Sequence, residues 1–141
     1  MNGKRLGRRS WVTDTRIVDA NVVLRYLLGD HPELSPRAKA FFDGVRAGER
    51  GAYVAESVVV ECVYVMQRVY QVPRPEIAEK LTTLLGFRGI AGEQIAVLRH
   101  ALALYAETNV SFVDALIAAI AIAKGLPVET YDKDLNKLLA R

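Results

Sequence analysis

An α/β fold with a mainly parallel sheet is what the sequence predicts, and three observations predict it. Short apolar runs alternate with longer stretches of helical periodicity. Each helical stretch is long enough to carry the chain back across a sheet, which pairs the strands in parallel. The length, 141 residues with 51% hydrophobic and 25% charged, suits one folded domain with an ordinary core.

Regular structure is expected from Arg16, where Ile17-Val18 forms a short apolar run ending in Asp19. A helix over 22–28 is stopped by Gly29. Ser35-Pro36 opens a second helix through Val45, with proline at its first position, and 51–55 reads as a strand. The valine-rich stretch 57–70 is too long for a strand. Val58, Cys62, Val65, Met66 and Val69 fall on one helical face, so it is read as a helix with Ser57 as N-cap. Further helices are expected over 75–85, closed by Gly86, and over 93–107, where Ile95, Leu98, Leu102 and Tyr105 keep helical spacing. Ser111 caps the next helix, which runs to Lys124 before Gly125. It is apolar nearly all round, so deep burial is expected. Residues 127–130 read as a last strand and 132–139 as a final helix.

Composition excludes several classes. The longest apolar run, 115–123, has nine residues, whereas a membrane span needs roughly 20. No secretory signal is visible, and Cys62 is the only cysteine, which rules out an intramolecular disulfide and favours a reducing, cytoplasmic setting. Residues 1–16 carry Lys4, Arg5, Arg8, Arg9 and Arg16 against Asp14, a net +4. The whole chain is +3, so the remainder is −1. The organisation is therefore a basic leader, 1–15, read as disordered, before a domain over 16–141. Such a leader can bind RNA phosphates, but the nearly neutral domain gives no bulk-charge argument for nucleic acid.

Candidate chemistry rests on four acids. Asp19 and Asp132 each follow an expected strand and precede a helix, and sites in open α/β sheets lie beyond the carboxyl ends of the strands. Asp114 sits in the first turn of the apolar helix, and Glu61 one turn into the helix after the second strand. Each has a structural explanation. Asp19 and Asp132 can cap helices, Ser111 with Asp114 fits a capping box, and Glu61 can be a solvated helix residue. Their apolar flanks argue otherwise, because a charge desolvated there must be paired, neutralised or metal-bound. Two carboxylates about 4 Å apart repel by roughly 4 kcal/mol at an effective dielectric near 20, which a cation relieves. With no histidine or cysteine cluster, zinc is disfavoured. All-oxygen ligation suits Mg²⁺, or Mn²⁺, at a site handling phosphate.

Four segments carry a resemblance. Ile17-Val18-Asp19-Ala20-Asn21, residues 56–61, Ser111-Phe112-Val113-Asp114-Ala115-Leu116 and Thr130-Tyr131-Asp132-Lys133-Asp134 resemble the signature blocks of PIN-domain nucleases, and among these the VapC toxins of toxin–antitoxin pairs. The resemblance covers about 16–139. It implies a three-layer α/β/α sandwich, Mg²⁺- or Mn²⁺-dependent endoribonuclease activity on RNA, a homodimer and inhibition by a cognate antitoxin. It implies that Asp19, Glu61, Asp114 and Asp132 are catalytic, that Asp19, Asp114 and Asp132 hold the metal, and that Asn21, Thr130 and Asp134 support them.

Two other classes compete. A phosphotransferase of the haloacid-dehalogenase type also places a nucleophilic aspartate after the first strand, but needs a second one two residues on, where this chain has Asn21. A non-catalytic binding module would use the acids as helix caps alone.

Overall fold

The computed structural model describes residues 14–141. The leader expected over 1–15 lies outside that range except for its last two residues. Three strands, β1 (Thr15–Ile17), β2 (Gly51–Tyr53) and β3 (Ile90–Ala91), pair in parallel in the order β1-β2-β3. The ladder runs through Arg16, Ala52 and Ile90. The α/β class and the parallel pairing expected from the sequence are both present.

Seven helices accompany the sheet among the described residues: α1 (Ala20–Leu28), α2 (Leu34–Ala47), α3 (Glu56–Arg68), α4 (Arg74–Leu85), α5 (Ile95–Glu107), α6 (Phe112–Lys124) and α7 (Lys133–Leu139). Their ends follow local chemistry. Gly29, Gly48 and Gly125 close α1, α2 and α6 in the left-handed region, which glycine enters without a Cβ penalty. α3 packs on α1, α4 and α6, while α5 lies between α4 and α6. One core joins these layers, with Phe42, Met66, Ile77, Leu98, Leu102 and Tyr105 fully buried.

Several expectations need correction. Residues 127–130 form no strand among the described residues. Pro127 has no N–H to give a ladder, and only Val128 of the four packs on the core. A strand absent from the sequence reading, β3, takes the third place instead. It has two residues, too few to show alternation. Gly89 before it lies so close to the preceding chain that a Cβ would collide with the Arg50 carbonyl oxygen. α3 starts at Glu56 with Ala55 at the cap position, so Ser57 lies within the helix. Its buried side is Val59, Cys62, Val63 and Met66, whereas Val69 is largely exposed. α6 buries Phe112, Ala115, Leu116, Ala118, Ala119 and Ala121 but exposes Val113 and Ile122, so its apolar character exceeds its burial. Pro36 is the third residue of α2, not the first. Ser35 ties this start to α1 by accepting from the His31 amide and donating to the Arg25 carbonyl at 2.7 Å.

Candidate functional site

Asp19 stands where β1 gives way to α1. Val18 before it still belongs to the ladder, its amide donating to the Tyr53 carbonyl. The Asp19 backbone is extended, and its Oδ1 accepts from the Val22 amide at 3.0 Å. Asp132 repeats this at α7, accepting from the Leu135 amide at 2.8 Å. Ser111 caps α6 by accepting from the Asp114 amide at 3.1 Å. The capping roles foreseen for Asp19, Ser111 and Asp132 are therefore real. Only one acceptor oxygen of Asp19 and of Asp132 enters these bonds, and a carboxylate offers about four lone-pair directions.

The supporting residues separate. The Thr130 hydroxyl accepts from the Asp132 amide at 3.0 Å and shapes the approach to α7. Asn21, in the first turn of α1, opens on the same cleft as Asp19. Asp134 is exposed in the first turn of α7, where a negative charge favours the helix dipole.

The burial argument for the acids does not hold. Asp19, Glu61 and Asp132 are exposed and Asp114 is half-buried, because the apolar neighbours turn inward while the carboxylates face water. No three His, Cys, Asp or Glu side chains among the described residues come together at metal-holding distance. Two of the acids do share a neighbour. The Cys62 thiol is pushed up to about 12, first by burial and then by the negative charges of Glu61 and Asp19. The Cys62 thiol also donates to the Ala20 carbonyl at 3.8 Å, which ties the two segments together. α3 touches both α1 and α6, the helices whose N-terminal turns carry Asp19 and Asp114.

These acids offer only oxygen donors, the kind that a hard divalent cation takes. Mg²⁺ takes one or two protein carboxylates and completes its shell with water and substrate phosphate, so it does not need a preformed protein cage. Sequence reasoning missed the cationic side of the site. Asp19 and Asn21 line a cleft of about 880 Å³ with Arg16, Arg25, Arg37 and Arg50. These arginines come from β1, α1, α2 and the turn before β2, and no motif spacing links them.

A parallel sheet with an aspartate at the carboxyl end of its first strand, and further acids on the helices around it, is the arrangement of a known class. The PIN domain family model matches residues 16–139, and the chain belongs to that family. A VapC ribonuclease from Aquifex aeolicus (strain VF5) is similar to it, 27% identical over 124 residues that cover 87% of this chain and 91% of the relative. No solved structure matches significantly.

Proposed function

We propose that the chain is a divalent-metal-dependent endoribonuclease, the toxin component of a toxin–antitoxin pair. The observation that carries this reading is the tie between the Asp19–Ala20 junction at the end of β1 and the Glu61–Cys62 turn of α3, through the Cys62 thiol and the Ala20 carbonyl, beside an arginine-lined cleft. Family membership and the VapC ribonuclease relative support it. Asp19, Asp114 and Asp132 would hold Mg²⁺, with Mn²⁺ as the alternative, and Glu61 completes the acidic quartet. When bound, the ion supplies an acidified water and offsets charge on the phosphoryl oxygens. The chain's own residues prepare the site. The Val22 amide fixes the Asp19 carboxylate, the Leu135 amide fixes Asp132, and Thr130 orients the chain entering α7. Asn21 presents an amide to the same cleft, and Asp134 adds negative charge beside Asp132. The partners in this reading are RNA, a cognate antitoxin protein and a second copy of the chain, in the cytoplasm. Among the described residues no helix is long and apolar enough to cross a membrane.

A second reading has a specific observation in its favour. Asp19 and Asp132 both cap helices, as a non-catalytic binding module requires. The deciding experiment is RNA cleavage by the purified chain with Mg²⁺, Mn²⁺ or EDTA, beside Asp19→Asn. Cleavage that needs metal and is lost in Asp19→Asn is expected. Full metal-dependent cleavage by both Asp19→Asn and Asp114→Asn would overturn the assignment. The phosphotransferase alternative lacks its second aspartate at Asn21 and runs against the family match.

A further inference from the structure

We infer that Arg37 is the residue that grips a phosphate of the RNA backbone in the cleft beside Asp19. The inference rests on the ribonuclease reading and extends it from chemistry to substrate holding. Four arginines line the cleft and Asp19 is the one acid among its described lining residues. Three of the arginines are already engaged. Arg16 and Arg50 share Asp14, at 3.1 and 2.9 Å. Their hydrogen bonds, that from Arg16 first, hold the Asp14 carboxyl below the usual carboxylate range. Arg25 pairs with Asp30 at 2.9 Å and donates to the Tyr70 hydroxyl at 3.0 Å.

Arg37 differs. It is exposed on α2 and makes no hydrogen bond, ion pair or ring contact among the described residues, so its full fork of donors is available. A guanidinium matches a phosphate in two-point geometry and is weakly hydrated, so it is the cation suited to this task. The need for it is electrostatic. An acidic site repels a polyanion, and a cation lining the same cleft as Asp19 offsets that repulsion. The engaged arginines are largely offset by Asp14 and Asp30, which leaves Arg37 as the uncompensated cation among the described lining residues of the cleft.

The test separates holding from cleavage. A short fluorescein-labelled single-stranded RNA is titrated with the Asp19→Asn chain in EDTA at several KCl concentrations, and its anisotropy is followed. Arg37→Ala should weaken binding by about threefold to tenfold and reduce the slope of log Kd against log salt by about 0.7, the loss of one phosphate contact. Arg37→Lys should restore the slope, and Arg99→Ala, on the surface of α5 and outside the cleft, should change neither. The loss should be the same for unrelated RNA sequences. In otherwise wild-type protein with metal, Arg37→Ala should raise KM by the same factor and leave kcat within about twofold. Equal slopes for Arg37→Ala and Arg99→Ala overturn the inference. Polyglutamate binding as tightly as RNA with the same dependence on Arg37 also overturns it, and assigns the cleft to an acidic protein segment. If the wild type cleaves no RNA with any metal, the ribonuclease reading fails on its own, and the binding titration still decides the role of Arg37.

Discussion

Asp19 caps α1, and in the proposed function it also serves cleavage; a single substitution can separate the two. Asparagine caps a helix about as well as aspartate, so Asp19→Asn should leave stability within about 0.5 kcal/mol in urea unfolding. Cleavage of RNA should fall by at least about 100-fold, beyond what loss of a mere supporting partner usually costs. Asp19→Ala should lose activity and, in addition, about 1 kcal/mol of stability. If Asp19→Asn keeps its activity and Asp19→Ala loses only stability, Asp19 is a cap and nothing more. Cys62 gives a second test at this scale. Its thiol is fully buried, and its pKa is raised from the ordinary 9.0 to about 12. In the unfolded chain the thiol ionises above about pH 9, while in the folded chain it keeps its proton. The group therefore favours folding fully below that pH, and its contribution is lost as pH rises toward 12. The slope is about 1.4 kcal/mol per pH unit, and urea unfolding of Cys62→Ala should show a correspondingly shallower decline over the same window. Thiol reagents at pH 8 should label Cys62 only after unfolding.

Among the elements, the long periodic helices were legible in the sequence and the short strands were not. α1 and α6 announce their ends through Gly29 and Gly125, and α5 shows itself through the spacing of Leu98, Leu102 and Tyr105, whereas α2 runs to Ala47, past the end at Val45 read from the sequence. β3 has two residues, and its signal lies in the flanking Gly89 rather than in any alternation. Residues 127–130 have strand composition but lack a partner, and composition cannot supply one. The candidate acids were legible as residues, since Asp19, Asp114 and Asp132 occupy the helix starts where they were expected. Their solvent exposure was not, because apolar neighbours in sequence do not fix which way a side chain turns. Nor was the arginine cleft, which four separate segments build. One link between elements rests on a single side chain. Arg74, at the start of α4, donates through Nε and Nη2 to the Tyr105 carbonyl at 3.1 and 2.8 Å and through Nη2 to the Val110 carbonyl. Its guanidinium lies 3.8 Å from the centre of the Tyr105 ring. It thereby satisfies a carbonyl in the last turn of α5, which has no partner within the helix, and fixes the residue before Ser111. Arg74→Ala should lose about 2–3 kcal/mol in urea unfolding, and Arg74→Lys should recover only part of it, because an ammonium cannot reproduce the planar fork.

For the molecule as a whole, the core and the candidate site are separate structures. The core is apolar and continuous, while the acids lie at its surface. Removing metal should therefore abolish cleavage without unfolding the protein, and a thermal melt in EDTA should still show one cooperative transition. Mg²⁺ at about ten times its Kd should add about 1.4 kcal/mol by linkage and raise the melting temperature by roughly 5 °C. A binding module whose acids serve only as caps would show no such rise.

The three strands contain eight residues in all, so helices carry most of the cohesion. The most extensive helix contacts join sequence neighbours, α5 with α6, α4 with α5 and α1 with α2. Amide hydrogen exchange should report this division, because stability in such a chain is distributed over cooperative units rather than spread evenly. The slowest amides should lie in the stack α4–α5–α6, where Leu81, Leu98, Leu102 and Ala119 are enclosed. Those of β1 and the first turn of α1 should exchange sooner, so that the segment bearing Asp19 loosens while the body beneath it stays folded.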